Sequence, residues 1–176
     1  MASAFGHGVA ALALGKTFPV EYRNWKFWVL GITCSILPDI DVISFRLGIP
    51  YTDMFGHRGI THSFFFSCLL ALVVVKIFYS ATPILTKTGI LLFLYFLLCT
   101  ASHGILDAMT SGGRGVAFFA PFDDSRYFLP WRPIKVSPLS AGKFFSEWGW
   151  MVVKSEVLWI GIPSAIVILV SALVKK

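Results

Sequence analysis

The side chains of this chain that could do chemistry are its four histidines and the aspartates that accompany them. They are gathered in short polar islands between long apolar runs. The islands are Gly6-His7-Gly8, Pro38-Asp39-Ile40-Asp41, His57-Arg58-Gly59-Ile60-Thr61-His62 and His103-Gly104-Ile105-Leu106-Asp107. Ionisable groups beside membrane-length apolar segments are costly unless they bind or react with something. Imidazole and carboxylate together form the ligand set of zinc, manganese and non-haem iron. Seven such side chains, His7, Asp39, Asp41, His57, His62, His103 and Asp107, are more than one four-coordinate zinc needs. The pattern therefore predicts a divalent metal site, zinc ahead of manganese, with two ions, or one ion plus catalytic carboxylates.

Spacing suggests how the islands converge. His103 and Asp107 are four residues apart near the end of a strongly apolar run, so a helix projects both from one face, and Thr110 continues that face. Pro38 should help to end the run before it. With an extended backbone beyond it, Asp39 and Asp41 would point the same way. Carboxylates so paired repel unless a cation or proton lies between them. His57 and His62 do not align on a straight helix. Thr61 is a suitable N-cap, which would put His62 in the first helical turn and His57 in the preceding loop. Each island also has an ordinary reading: a His–Asp hydrogen bond, a solvated turn, a structural imidazole. It is their combination that points to metal. His7, Asp39, His62, His103 and Asp107 are the first-choice ligands. Asp41 and His57 would bind a second ion or act as general acid and base, with Arg58 beside them neutralising an anionic substrate. Arg58, Arg114, Arg126 and Arg132 are candidates to clamp a phosphate, because guanidinium forks fit that geometry.

The elements that must position these residues are membrane helices. Of 176 residues, 56% are hydrophobic and only 14% charged, whereas a soluble domain is about a quarter charged. The fold class expected is a single all-α integral membrane domain over residues 1–176. Three segments, about Ser63 to Ser80, Thr88 to Leu106 and Ser155 to Val174, are long enough to cross a core of about 30 Å. Two shorter ones, about Ala4 to Gly15 and Trp25 to Leu37, suit a tilted or partly embedded helical pair. Threading the five alternately through the bilayer brings every candidate ligand to one face. The stretch 108–154, rich in Gly, Pro and aromatics, reads as an ordered interfacial cap over that face. Lys16, Arg23, Lys26, Lys76, Lys87, Lys175 and Lys176 fall on the other face. The positive-inside rule then puts the site on the extracytoplasmic side.

Other features narrow the reading. The net charge of +6 is scattered rather than clustered, which suits anionic lipid headgroups and not nucleic acid. Cys34, Cys68 and Cys99 lie in apolar runs without CxxC spacing and read as buried thiols. No basic region precedes the apolar N-terminus, so a cleaved signal peptide is not expected. HExxH, GxSxG and P-loop motifs are missing.

The order His7, PDID at Pro38 to Asp41, HRGITHS at His57 to Ser63 and HGILDAMTSGG at His103 to Gly113 resembles the YdjM-type family. Its members are membrane-bound, metal-dependent hydrolases, known in bacteria partly as LexA-regulated inner-membrane proteins. The resemblance implies a multi-pass inner-membrane helical protein with a hydrolase site. The HxxxD element is also similar to one in secreted zinc phospholipases C and related single-strand nucleases, a likeness of a few residues. The expected activity is metal-assisted hydrolysis of a phosphate ester in a membrane lipid. Two alternatives are a non-catalytic metal-binding stress or structural protein and a membrane peptidase or amidase.

Overall fold

The computed structural model describes residues 1–139 and 141–174. Helix α1 spans Ala4–Thr17, capped by the Ser3 side chain, which accepts from the Gly6 amide. Helix α2 covers Trp25–Ile36 and passes through a 3₁₀ segment, Leu37–Val42, into the short α3, Ile43–Arg46. Helix α4 is Phe64–Phe78 and α5 is Lys87–Ala108. After an irregular stretch come α6 (Ala141–Phe144), α7 (Glu147–Glu156), a π turn at Val157–Gly161, and α8 (Ile162–Val174). Among the described residues there is no sheet, only isolated bridges at Thr110–Ile134 and Val116–Tyr127.

Three continuous helices are long and apolar enough to cross a membrane: Trp25–Arg46, Lys87–Ala108 and Glu147–Val174. Two of these correspond to expected spans; the remaining one differs. The Ser63 to Ser80 run yields only the 15-residue α4, which rises about 22 Å and falls short of the hydrocarbon core. The Trp25 to Leu37 run, in contrast, reaches 22 residues. Pro38 does not end that helix. It sits at the start of the 3₁₀ segment, where a missing N–H costs little, so it changes the helix type and the chain continues. Residues 147–154, expected in the cap, are helical and run into the last span.

The apolar core lies between α1, α2, α4 and α5 and includes Phe27, Cys34, Val75, Tyr95, Phe96 and Cys99. Phe27 stacks on Tyr95 with centroids 3.8 Å apart. Cys34 and Cys99 are buried free thiols and Cys68 is half-buried. This packing sets the helices side by side with the start of α1, the end of the α2–α3 rod, the start of α4 and the end of α5 at one extremity. Lys26 marks the other, donating to the Phe78 carbonyl at 3.0 Å and lying over Tyr79. Lys175 and Lys176 lie outside the described residues.

Candidate metal centre

Helix α5 supplies His103 and Asp107 from one face, as their spacing predicts, and both are fully buried. The Nδ1–H of His103 donates to the Ser35 carbonyl of α2 at 2.7 Å. A carbonyl only accepts, so this bond sets the tautomer and leaves Nε2 with its lone pair. That Nε2 faces Nε2 of His62 at 3.0 Å. His62 is held in the same sense: its Nδ1 lies 3.1 Å from the Thr61 hydroxyl, whose own proton goes to Asp41, and 3.1 Å from Oδ2 of Asp41. Two acceptor nitrogens pointing at each other repel unless a cation or a proton sits between them.

Two carboxylates complete the group. Oδ1 of Asp39 lies 3.3 Å from Nε2 of His103 and 3.7 Å from Nε2 of His62. Oδ2 of Asp107 is 3.5 Å from Nε2 of His62. Asp39, His62, His103 and Asp107 each offer a ligand atom, all within 4.8 Å of one another. Both oxygens of Asp39 and Oδ2 of Asp107 are buried without a hydrogen-bond partner, the condition that a bound cation relieves. The residues therefore fit a divalent ion. Without one, His62 carries the charge: burial works against its protonated form, but Asp107, Asp39 and Asp41 around it prevail and push its pKa up to about 10.

A second group, Asp41, His57 and His62, also has ligand atoms within 4.8 Å. It shares His62 through the opposite ring nitrogen. Asp39 and Asp41 do not point the same way, because PDID is 3₁₀ helix and not extended. At three residues per turn, positions two apart diverge by about 120°. Asp39 thus faces the tetrad, while Asp41 receives His57 Nδ1 at 2.6 Å, the Arg58 amide at 2.9 Å and the Thr61 hydroxyl at 2.7 Å. Thr61 is not the cap of α4. Ser63 is, and His62 ends a 3₁₀ turn, Ile60–His62. Glycine makes the approach of that turn possible, since a Cβ on Gly104 would stand 2.7 Å from the His62 carbonyl.

The rest of the predicted set divides. His7 stacks on His103 with centroids 3.8 Å apart, its Nε2 is 3.5 Å from Oδ1 of Asp107, and neither ring nitrogen has a hydrogen-bond partner. Arg58 is wholly buried. Its Nε lies 3.0 Å from Oδ2 of Asp107, an ion pair without hydrogen-bond alignment. Its other nitrogens donate to Thr110 Oγ1 at 3.0 Å and the Gly112 carbonyl at 3.1 Å. The guanidinium is thus spent on holding Asp107 and the loop after α5, and its backbone is left-handed at φ 62°. Arg126 donates to the carbonyls of His57 and Asp53. Arg114 lies over Tyr51 and Arg132 over Phe128. None of these three touches the tetrad ligands.

Some contributors escaped the sequence reading. The Ser35 carbonyl and the Ala2 amide, which donates to Oδ1 of Asp107 at 2.7 Å, are backbone groups and leave no sequence signal. Glu156 is different. It is buried, with Ser3 donating to it from both amide and hydroxyl, and an acidic residue just inside the last apolar span was a visible clue.

Buried imidazoles and carboxylates gathered within 4.8 Å of one another between apolar helices define an integral membrane protein with a candidate metal centre. The YdjM inner membrane protein family model matches residues 1–176. The inner membrane protein YbcI of Escherichia coli (strain K12) is 33% identical over 164 residues, 93% of this chain and 92% of the relative. The chain belongs to the YdjM family and is a multi-pass protein of the bacterial inner membrane. No solved structure matches it.

Proposed function

We propose that this protein is a metal-dependent hydrolase of a phosphate ester in a membrane lipid, working at the extracytoplasmic surface. The supporting observation is the Asp39–His62–His103–Asp107 tetrad, with both imidazoles oriented through Nδ1 and their Nε2 atoms turned inward. Zinc suits these ligands best, manganese next. A divalent ion held there supplies Lewis acidity, polarising a phosphoryl oxygen and acidifying water at neutral pH.

The protein's own groups do the rest. Asp41 holds His62 and His57 in place, and the Asp41–His57 pair is the candidate proton carrier. Arg58 and the Ala2 amide fix Asp107. Asp39 is the most exposed of the four, at 10% of its side chain, and marks the side from which a headgroup enters. Exposed aromatics of the cap, among them Phe122, Trp131 and Phe145, suit the interface where headgroups lie. Lys16, Arg23, Lys26, Lys76 and Lys87 at the opposite end favour the cytoplasmic side there.

A non-catalytic reading has one observation in its favour: His62, His103 and Asp107 are almost entirely buried, as in a structural site closed by protein ligands. The test is to purify the protein in detergent, measure bound metal, and assay lipid phosphates and diacyl phospholipids with and without chelator. Chelator-sensitive release of phosphate or a phosphorylated headgroup is expected. Bound metal without turnover would favour the structural reading.

A further inference from the structure

Two cavities adjoin the first turn of α1 on the side away from the metal tetrad. One, of about 280 Å³, runs between α1 and the π turn of the last span, lined chiefly by Phe5, Val9, Val153, Val157 and Ile160, with the hydrogen-bonded Ser3–Glu156 pair on its wall. The other, of about 380 Å³, lies under the cap against Ser137, Pro138, Leu139 and Phe145. They share Ser3, Phe5 and Phe144, and Phe5 and Phe144 meet at their junction with centroids 6.2 Å apart. The two cavities thus adjoin at this ring pair, one beside the last span and the other beneath the interfacial cap, and together they outline a trough.

From these features we infer that the trough seats one acyl chain of a membrane lipid, with the glycerol and headgroup at the cap end. Three observations select that occupant. The groove lies between α1 and the last span with an exposed rim, Phe5, Val9 and Val157, so it opens onto the surface that contacts bilayer chains. The backbone widens there into a π turn, a local departure from α geometry that recurs at functional sites. A Cβ on Gly6 would come within 3.0 Å of Ile160 and 3.2 Å of the Glu156 carboxylate, so the glycine lets α1 approach the last span and form the floor of the groove.

The trough is coupled to the centre by α1 itself. Ser3, Phe5 and Gly6 face the groove, whereas the Ala2 amide bonds Asp107 and His7 stacks on His103. One helix, about 10 Å wide, separates chain from tetrad, and the headgroup must reach across its N-terminal end. The link to hydrolysis rests on the proposed function; the seat for the chain does not.

The test uses the full-length protein in nanodiscs made with a phospholipid that carries a diazirine in one acyl chain. Crosslinked residues are mapped by mass spectrometry, and bound metal is measured in parallel. Crosslinks should concentrate on Phe5, Val9, Val157 and Ile160. Val157→Trp, at a position 58% exposed, should fill the groove and cut those crosslinks about tenfold, the loss expected when a few methylenes go unburied. Val170→Trp, on the outer face of α8, should leave them unchanged, and metal content should be unaltered in both. Crosslinks spread evenly along Ile166, Val170 and Leu173 would mean ordinary annular lipid and overturn the inference, as would protein–protein crosslinks through the groove. If the chain maps to the groove but no chelator-sensitive hydrolysis is found, the seat stands and the proposed function falls.

Discussion

Asp41→Asn separates an orienting carboxylate from a metal ligand at nearly constant volume. Oδ1 of Asp41 accepts from His57, Oδ2 accepts from the Arg58 amide and Thr61, and the same Oδ2 lies 3.1 Å from Nδ1 of His62 as an ion pair. An amide offers one acceptor and one donor. Whichever way it turns, its NH2 faces a group that was donating, and His62 loses the charge that polarises its ring. Hydrogen bonds to a charged group contribute about 1.5–3 kcal/mol each. Loss of the carboxylate charge beside His62, and of the acceptor that fixes Thr61 against its Nδ1, matches the roughly 10–100-fold fall in affinity seen when second-shell partners are removed, which equals about 1.4–2.7 kcal/mol. Competition titrations against a fluorescent chelator, on protein in detergent, should find the affinity lower by that factor and the number of bound ions unchanged. His103→Ala should abolish high-affinity binding altogether. Unaltered affinity in Asp41→Asn would refute the orienting role. A fall from two ions to one, with the remaining ion held as tightly as before, would make Asp41 and His57 ligands of a second ion bridged through His62.

Other outcomes follow from the same contacts. Arg58→Ala removes the nearest cation from buried Asp107, which keeps the Ala2 amide and His62 beside it, so thermal unfolding of the metal-free protein in detergent should show a loss of up to about 3 kcal/mol; Arg58→Gly should lose about 1 kcal/mol less, because it removes the left-handed strain at φ 62°. Gly104→Ala drives a methyl into the His62 carbonyl and should destabilise by about 1–3 kcal/mol, with weaker metal binding, whereas Gly8→Ala, whose Cβ would meet only Ile32 at 3.7 Å, should be mild in both measurements. Stability of the chelated protein should depend on pH through His62. Its folded pKa is raised from 6.5 to about 10, so its contribution is fully present below 6.5 and is lost as pH climbs through 10; melting temperatures of the metal-free protein that rise across that window would contradict the assignment.

Much of the protein was legible in its residues. Composition required a membrane, and alternate threading of the apolar runs brought His7, Asp39, His62, His103 and Asp107 to one extremity. The structure gathers them there, His7 stacked on His103 and the other four within 4.8 Å of one another. The i, i+4 relation of His103 and Asp107 needed only helical periodicity. Helix limits were less legible. Hydropathy sees neither that Ser63 caps α4 and the helix ends after Phe78, nor that a 3₁₀ segment carries the chain past Pro38.

What the linear order alone determined is therefore the solvent, the helix class and the supply of ligand-type side chains, because these depend on residue type and local period. Roles among those side chains were decided by tertiary packing. Asp39 and Asp41 are nearly identical in sequence context, yet one faces the tetrad and the other braces two imidazoles, because a 3₁₀ backbone turns them apart and α5 approaches only one of them. Arg58 looked like a phosphate clamp and became the partner of Asp107, since a fully buried guanidinium must sit against a carboxylate. Which groups meet at a distance of a few ångströms is a property of the packed helices, and no local pattern encodes it.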